Sequence, residues 1–440
     1  ATIMEKYIIK RNSIMINRLL DFLETSYTAY HAVENAKQLL LGNGFIALSE
    51  TDDWAIEEGG KYFVERNGSS LVAFTVGALD DFFFKIVASH TDSPALKLKE
   101  NAVTLAGPYA KLNAETYGGG IYYSFFDRPM KIAGRVVTNE NGVLKSETAT
   151  SEYFVTVPSL AVHMNRSVND GFAVNPQIDL LPLFALTDGE TAPDFLVGLT
   201  EKTPVAYDLY VVNADKPYLF GLNNEFAASP RIDNLTSVWS SLESLAAHAP
   251  SGGVCVAACL DNEEVGSSTK QGAASTFLES TLRRLNGALG RTEEDYLSAV
   301  AGSFMISADN AHAVHPNHTD LADPTNRPAM NGGIVIKYNA NQQYTTDAVS
   351  AAVFKLFCEK VNVPCQTFTN RSDMAGGSTL GNIANTKVSL NTVDIGLPQL
   401  AMHSPYETAG TKDTGYFCEV AKKFFSSSVQ MKANGIYEIR

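Results

Sequence analysis

The segment VCVAACLDNEEVGS, residues 254–267, indicates the fold of this chain most clearly. Its first seven residues are all apolar, which is typical of a strand buried on both faces of a sheet. Three carboxylates follow almost at once, on Asp261, Glu263 and Glu264. Adjacent carboxylates at the mouth of a sheet repel one another unless a cation or a proton offsets their charge. The alternative for this loop is a solvated acidic turn, and these residues alone do not decide between the two.

Strand-like and helix-like segments alternate around this stretch and near both ends of the chain. Strands are predicted over 80–90, 252–260, 303–307, 333–338 and 366–369, and helices over 12–26, 275–289, 347–361 and 414–431. Such alternation favours an α/β fold with a mostly parallel sheet flanked by helices. Between these parts the texture changes to short alternating strands and turn clusters. The sequence therefore predicts a discontinuous α/β domain, 1–93 plus 232–440, with an inserted β-rich domain over 94–231.

Composition limits the partners of the 440-residue chain. Its 34 Lys and Arg against 48 Asp and Glu leave a formal net charge of −14, which argues against nucleic acid as a partner. No stretch approaches the roughly 20 apolar residues that span a bilayer. Residues 1–11 also lack the apolar core of a secretory signal. We expect a cytoplasmic protein that binds neither nucleic acid nor membrane.

Polar clusters that follow apolar runs mark the candidate site, because ligands of α/β sheets collect beyond the carboxyl ends of the strands. Besides the acidic loop, the clusters are SHTDSP at 89–94, RIDNL at 231–235, SADNAHAVHP at 307–316 and AMHSPYE at 401–407. Taken singly, each has an ordinary alternative. His90 could be a hydrogen-bonded loop residue, and Asp233 could be a helix N-cap.

Taken together, the clusters supply imidazoles and carboxylates at the ends of strands in one sheet. That set suits two divalent cations that share a bridging carboxylate. Nitrogen and oxygen ligands without a thiolate favour zinc, with cobalt or manganese as substitutes. The paired glutamates Glu263 and Glu264 leave one carboxylate free to act as a general base.

These motifs, with two more, resemble those of the aspartyl aminopeptidase family of cocatalytic metallopeptidases. The matching pieces are SHTDSP at 89–94, RIDNL at 231–235, DNEEVGS at 261–267, SADNAHAVHPN at 307–317, KYNANQQY at 337–344, GGSTLG at 376–381 and MHSPYE at 402–407. They occur in the family's order and span nearly the whole chain. The resemblance implies a zinc-peptidase-like fold and a dinuclear zinc aminopeptidase that removes the amino-terminal residue of peptides.

The resemblance also implies a role for individual residues. The ligands would be His90 and Asp309 for one zinc, Glu264 and His403 for the other, and Asp233 between the two. Glu263 would be the general base, and Asp92 would orient His90. Two positions depart from the family pattern without removing a ligand, because Asn262 stands where many relatives have His and Asn382 where they commonly have Pro.

Substrate contacts and assembly are implied in the same way. His312, Lys337 and Tyr344 would contact the substrate, and His163 of the inserted domain would complete a neighbouring subunit's site. Lys337 would favour Asp or Glu at the substrate's amino terminus, whereas the alternative is a solvated lysine at a strand end. Relatives dimerise through the inserted domain and build twelve-subunit shells, so a homo-oligomeric dimer and dodecamer acting on peptides is expected.

Two other functions remain open at this level. One is a different amide hydrolase on the same dimetal scaffold, such as a carboxypeptidase or a deacylase. The other is a catalytically inactive shell protein. The presence of the general base and every implied ligand favours an enzyme, because degeneration would usually remove one of them.

Overall fold

The computed structural model describes residues 3–440, with side chains from residue 14 onward. Its α-helices are α1 Ile3–Thr25, α2 Ala29–Gly42, α3 Pro176–Asp179, α4 Ile232–Ala246, α5 Phe277–Ala288, α6 Glu293–Gly302, α7 Ala348–Lys360, α8 Leu380–Ala384 and α9 Asp413–Ser426. Short 3-10 turns cover Tyr122–Phe125, Glu263–Val265 and Thr319–Leu321. The expectation that residues 1–11 carry no secretory signal concerns side chains outside the described part.

The strands among the described residues form four sheets. They are β1 Ile46–Leu48, β2 Lys61–Arg66, β3 Ser70–Val76, β4 Phe84–His90, β5 Ala95–Ala106, β6 Tyr109–Tyr117, β7 Met130–Glu140, β8 Val143–Thr150, β9 Leu183–Leu186, β10 Ala206–Asn213, β11 Tyr218–Phe220, β12 Phe226–Ser229, β13 Val254–Leu260, β14 Phe304–Ala308, β15 Ala311–His312, β16 Ile334–Lys337, β17 Cys365–Phe368, β18 Asn391–Gly396, β19 Pro398–Leu400, β20 Glu407–Gly410, β21 Val429–Ala433 and β22 Ile436–Ile439.

The main sheet has nine strands in the order β1-β2-β3-β13-β4-β14-β18-β16-β17. Its central strands β13, β4, β14 and β18 are parallel. The neighbours β2, β3 and β16 join through antiparallel pairs, so the sheet as a whole is mixed. The predicted α/β class is confirmed, and the parallel arrangement holds for the centre of the sheet.

Helices cover both faces of this sheet. Side chains of β13 alternate between two hydrophobic cores, one on each face of the sheet. Cys255 and Cys259 belong to the core that contains residues of α1, α2, α4, α7 and α9. Val256 and Leu260 belong to the core that contains residues of α5, α6 and α8. Every residue of β13 is buried, as the continuous apolar run predicts. The register pairs Leu260 with His90, so the two central strands end at the same edge.

A second, six-stranded antiparallel sheet lies between these parts of the chain, in the order β8-β7-β10-β5-β6-β9. It has its own hydrophobic core. Strands β11 and β12, which the prediction assigned to the inserted domain, pair instead into a sheet with β20, β19 and β15. The boundaries 94–231 and 1–93 plus 232–440 therefore stay a prediction, although the β-rich character of the insert is evident.

The carboxyl-terminal helix is shorter than predicted. It ends at Ser426, and the remaining residues form the hairpin of β21 and β22. Three consecutive serines, 426–428, follow the last phenylalanine and have low helix propensity. Among the described residues, no helix is both long enough and apolar enough to cross a bilayer.

Candidate metal centre

The polar clusters meet at one edge of the main sheet, where its central strands end. His90 is the last residue of β4, and the 3-10 turn Glu263–Val265 follows β13. Asp309 comes directly after β14. Asp233 lies at the start of α4, and His403 follows β19. The convergence expected from strand ends is therefore present, and these side chains come within a few ångströms of one another.

Three carboxylates lie near Nε2 of the His90 imidazole. Nε2 lies 3.4 Å from Asp233 Oδ1 and 3.4 Å from Asp309 Oδ1. Glu263 Oε2 is farther away, at 3.8 Å. The His90 side chain is 1% exposed, so this group of charges is almost sealed from water.

The imidazole of His403 forms a second group with the same aspartate. Its Nε2 lies 3.3 Å from Asp233 Oδ2 and 3.4 Å from Glu264 Oε2. Asp233 thus presents one carboxylate oxygen to each imidazole. Its carboxylate is engaged there, which excludes the alternative of a simple helix N-cap. The N-cap of α4 is Arg231.

Both groups fit a divalent cation. Two ligand atoms bound tetrahedrally to one zinc lie about 3.3–3.5 Å apart, given zinc–ligand distances of about 2.0–2.2 Å. The observed nitrogen–oxygen separations of 3.3–3.4 Å match that value. Asp233 Oδ1 and Glu264 Oε1 are buried without a hydrogen-bond partner in the described part of the chain. Because an unpaired buried carboxylate oxygen is costly, a bound cation would stabilise this arrangement.

The Nδ1 atoms of His90 and His403 contact other groups. His90 Nδ1 lies 3.1 Å from the carbonyl oxygen of Asp92 and 3.3 Å from its Oδ1. His403 Nδ1 lies 3.0 Å from the carbonyl oxygen of Gly119. Since these acceptors require a proton on Nδ1, Nε2 is the nitrogen of each imidazole that is left to bind a metal.

Asp92 also positions the glutamate pair. Its two carboxylate oxygens accept hydrogen bonds from the backbone N–H groups of Glu263 and Glu264, each at 3.1 Å. Burial, supported by the nearby carboxylates and opposed by His90, raises the pKa of Glu263 to about 8. Burial lowers the pKa of His403, but the carboxylates of Asp233 and Glu264 have the larger effect and raise that pKa to about 10. The cluster is therefore rich in negative charge that a cation can offset.

A cavity of about 520 Å³ opens over these carboxylates, and the residues predicted to contact substrate line it. They are His312, Lys337 and Tyr344. Lys337 is 3% exposed, and its Nζ donates to the carbonyl oxygen of Asn310 at 3.2 Å and lies 5.0 Å from the centre of the Tyr344 ring. The alternative of a solvated lysine is therefore wrong, because packing of β16 inside the sheet buries the side chain.

His163 is not brought to this site within the subunit. It lies in an exposed, irregular segment after the six-stranded sheet's strand β8, and it is absent from the described lining of the cavity. The role predicted for it in a neighbouring subunit stays a prediction.

Sequence reasoning missed the part that Glu407 plays at this site. Glu407 is 2% exposed, and its Oε2 accepts from the backbone N–H of Asp233 while its Oε1 accepts from that of His403, both at 2.9 Å. It thereby holds the backbones of two candidate ligands together. The only signal was its place in the motif MHSPYE, four residues after the histidine.

Known proteins resemble this chain over nearly its whole length. The sequence model of the family described as aminopeptidase I zinc metalloprotease (M18) matches residues 22–425. The "Probable M18 family aminopeptidase 2" of Clostridium novyi is 43% identical over 424 residues, which are 93% of this chain and 98% of that protein.

Two solved structures extend the comparison. The "Cryo-EM structure of the Ape4 and Nbr1 complex" aligns with a TM-score of 0.89 and 34% identity over 94% of this chain and 86% of that one. The "Structure of S. cerevesiae mApe1 dodecamer" shares the fold, with a TM-score of 0.79 and 24% identity over 93% of this chain and 96% of that one. From the family match, the close relative and the histidine–carboxylate cluster, we conclude that the chain belongs to the M18 family of zinc metalloproteases and is a metallo-aminopeptidase.

Proposed function

We propose that the protein removes the amino-terminal residue of peptides with two zinc ions that share Asp233. One observation carries the proposal. The two oxygens of that carboxylate face different imidazoles, His90 at 3.4 Å and His403 at 3.3 Å. Asp309 would complete the first zinc site, and Glu264 the second. Zinc bound there would supply Lewis acidity towards a peptide carbonyl and would lower the pKa of a water molecule.

Glu263 is the proposed general base. Its Oε2 is 3.8 Å from His90 Nε2, farther than the carboxylates of Asp233 and Asp309, and it lines the cavity. A carboxylate beside the cation sites, but outside their ligand sets, can accept a proton from water. It can then deliver that proton to the amine that leaves when the peptide bond breaks.

The neighbouring glutamates provide a matched test. Glu263→Gln should keep the zinc content of the wild type and lower kcat by about 10²- to 10⁴-fold. Glu264→Gln should lose zinc, because an amide is a weaker ligand than a carboxylate. Zinc is measured by atomic emission and kcat with an aminoacyl anilide. Near-normal turnover by Glu263→Gln would contradict the assignment of Glu263 as the general base.

We infer that Lys337 selects an acidic side chain at the substrate's amino terminus. It is a buried ammonium in the cavity wall, with one donor engaged by Asn310 and room for others to reach a carboxylate. Anilides of Asp, Glu, Leu and Lys should be cleaved with a preference for Asp or Glu. Lys337→Met should raise KM for the acidic substrates and leave that for Leu unchanged, whereas a wild-type preference for Leu contradicts the inference.

Comparing a peptide with its N-acetylated form distinguishes the other amide hydrolases. An aminopeptidase needs the free amine and should cleave only the unblocked peptide. A deacylase would prefer the blocked one, and a carboxypeptidase would act on both. A protein without any turnover on the panel, but with zinc bound, would instead match the inactive shell.

We also propose that the insert over 94–231 mediates assembly into dimers and a dodecamer. Large apolar side chains are exposed on it, among them Phe154, Leu160, Met164 and Leu186. Contact between subunits through the insert would bury such side chains, which favours this part of the chain as the interface. The solved dodecamer of the same fold supports that size. Light scattering tests it, and a fully active 47.6 kDa monomer contradicts it.

A further inference from the structure

Residues 117–120 lead from the last residue of β6 into the 3-10 turn Tyr122–Phe125. They belong to the six-stranded sheet's part of the chain, yet they lie against the metal centre of the main sheet. The sequence TyrGlyGlyGly looks like an ordinary turn cluster. Its contacts in the structure are more specific than that.

Tyr117 contacts the carboxylate that orients His90. Its hydroxyl donates to Asp92 Oδ2 at 2.7 Å and accepts from Asn262 Nδ2 at 2.9 Å. The orientation of the Asn262 amide is set by Thr269 and Gln271, which both donate to its Oδ1, at 2.8 and 2.7 Å. Because Nδ2 then faces the tyrosine, the hydroxyl proton is committed to Asp92.

The two glycines that follow approach the second group of ligands. The carbonyl oxygen of Gly119 lies 3.0 Å from His403 Nδ1, and the backbone N–H of Ile121 donates to the His403 carbonyl oxygen at 3.0 Å. Gly118 has φ +75°, and a Cβ there would lie 3.2 Å from Glu264 Cβ. Only glycine combines this backbone conformation with so close an approach.

We propose that residues 117–119 are a positioning element of the metal centre. Tyr117 holds Asp92 where it orients His90, and Gly119 holds the imidazole of His403. Each contact acts on the nitrogen opposite the one that faces the cation site, the usual place for a group that tunes a metal ligand. The inference rests on the proposed zinc ligation by His90 and His403.

The first test removes the tyrosine hydroxyl alone. Tyr117→Phe keeps the ring, which packs edge-on against Tyr210 at 5.5 Å between centroids. We expect zinc affinity, measured by competition with a chelator, to fall by about 10- to 100-fold, with an unchanged melting temperature of the metal-free protein. Tyr210→Phe is the matched control, since its hydroxyl makes no hydrogen bond to a described residue, and it should retain wild-type affinity.

The second test uses two glycines of the same sheet. Gly118→Ala introduces a methyl group against Glu264, whereas Gly107→Ala, at φ +58°, meets nothing within 4 Å. Both substitutions carry the backbone cost of an alanine at positive φ. Only Gly118→Ala should weaken zinc binding, and the Gly107→Ala variant should differ from the wild type in stability alone.

The outcomes distinguish this inference from the proposed function. A wild-type protein that binds no zinc refutes the proposed function itself. Zinc binding by the wild type with equal affinity in Tyr117→Phe overturns the positioning role. If Tyr117→Phe does not fold, the glycine pair decides, and equal zinc affinities for Gly118→Ala and Gly107→Ala overturn the inference.

Discussion

Asp233 and His403 face each other across 3.3 Å, from carboxylate Oδ2 to imidazole Nε2. The other oxygen, Oδ1, faces His90 at 3.4 Å and has no hydrogen-bond partner among the described residues. A buried carboxylate whose two oxygens meet two imidazoles at ligand–ligand distances is suited to bridge two cations.

Asp233→Asn should therefore lose most of the zinc from both positions. An amide offers one neutral oxygen and cannot bridge two cations with a negative charge. Zinc content is measured by atomic emission after dialysis against a weak chelator. Asp320→Asn, at an exposed position in the 3-10 turn Thr319–Leu321, is the control and should keep its zinc. Loss of only one zinc would show that the bridging role is wrong.

Glu407→Gln should weaken zinc binding without removing a ligand. Each oxygen of the carboxylate accepts a backbone N–H, one from Asp233 and one from His403. The glutamine would turn an NH₂ group towards one of these donors and displace that ligand. We expect about 10- to 100-fold lower zinc affinity in a chelator competition.

Glu225→Gln provides the control for that substitution. Glu225 accepts hydrogen bonds from Asn223 in a loop, so it tests the loss of a carboxylate acceptor away from the ligands. Its zinc affinity should equal that of the wild type. If Glu407→Gln and Glu225→Gln bind zinc with equal affinity, Glu407 does not position the zinc ligands.

His31 should make stability depend on pH. It links α2 to β8, with Nδ1 2.9 Å from Thr28 Oγ1 and Nε2 2.9 Å from Thr150 Oγ1. Burial, and then the charge of Arg231, lower its pKa from 6.5 to about 4. Between those values the unfolded chain binds a proton that the folded one does not, so stability falls as the pH drops from 6.5 to 4.

The size of this effect is at most about 3 kcal/mol at the acid end, since one pKa unit corresponds to about 1.4 kcal/mol. The measurement is the apparent free energy of unfolding in urea at several pH values and one protein concentration. In His31→Gln this component should be absent. Parallel pH profiles for the wild type and the variant would contradict the prediction.

Lys85→Met should destabilise the fold strongly. Lys85 is fully buried in β4, and its Nζ donates to the carbonyl oxygens of Phe425 and Ser427 at the end of α9. Its removal leaves the buried carbonyl oxygen of Ser427 without a donor, which costs about 1–3 kcal/mol, whereas that of Phe425 still accepts from Ser251 Oγ. Lys355→Met, on the exposed side of α7, is the control in urea unfolding and should change little.

Much of the fold is predictable because burial leaves a simple pattern in the main sheet. The run at Val254–Leu260 is apolar throughout because both faces of that strand pack against helices. The pattern fails where local propensity and tertiary pairing disagree, as at the carboxyl terminus. There the predicted helix gives way after Ser426 to a hairpin that pairs Val429 with Ile439.

The metal ligands are predictable for a related reason. His90 ends β4 and Asp309 directly follows β14, so these adjacent parallel strands bring them to one edge. Tyr117 and Glu407 carry no such signal, because their roles come from tertiary contacts, those of Tyr117 with Asp92 and those of Glu407 with Asp233 and His403. The sequence pattern around a tyrosine at the end of a strand is the same whether its hydroxyl contacts water or Asp92.

The amino-acid order alone determined which side chains stand at the ends of buried strands, and with them the chemistry of the cluster. The folded structure was needed to show which oxygen of Asp233 faces which imidazole, and that Lys337 is buried. This is because a buried strand leaves an apolar pattern in its own segment of the sequence. Distances between side chains instead depend on sheet register and on how separate layers pack, and both are set by the whole chain at once.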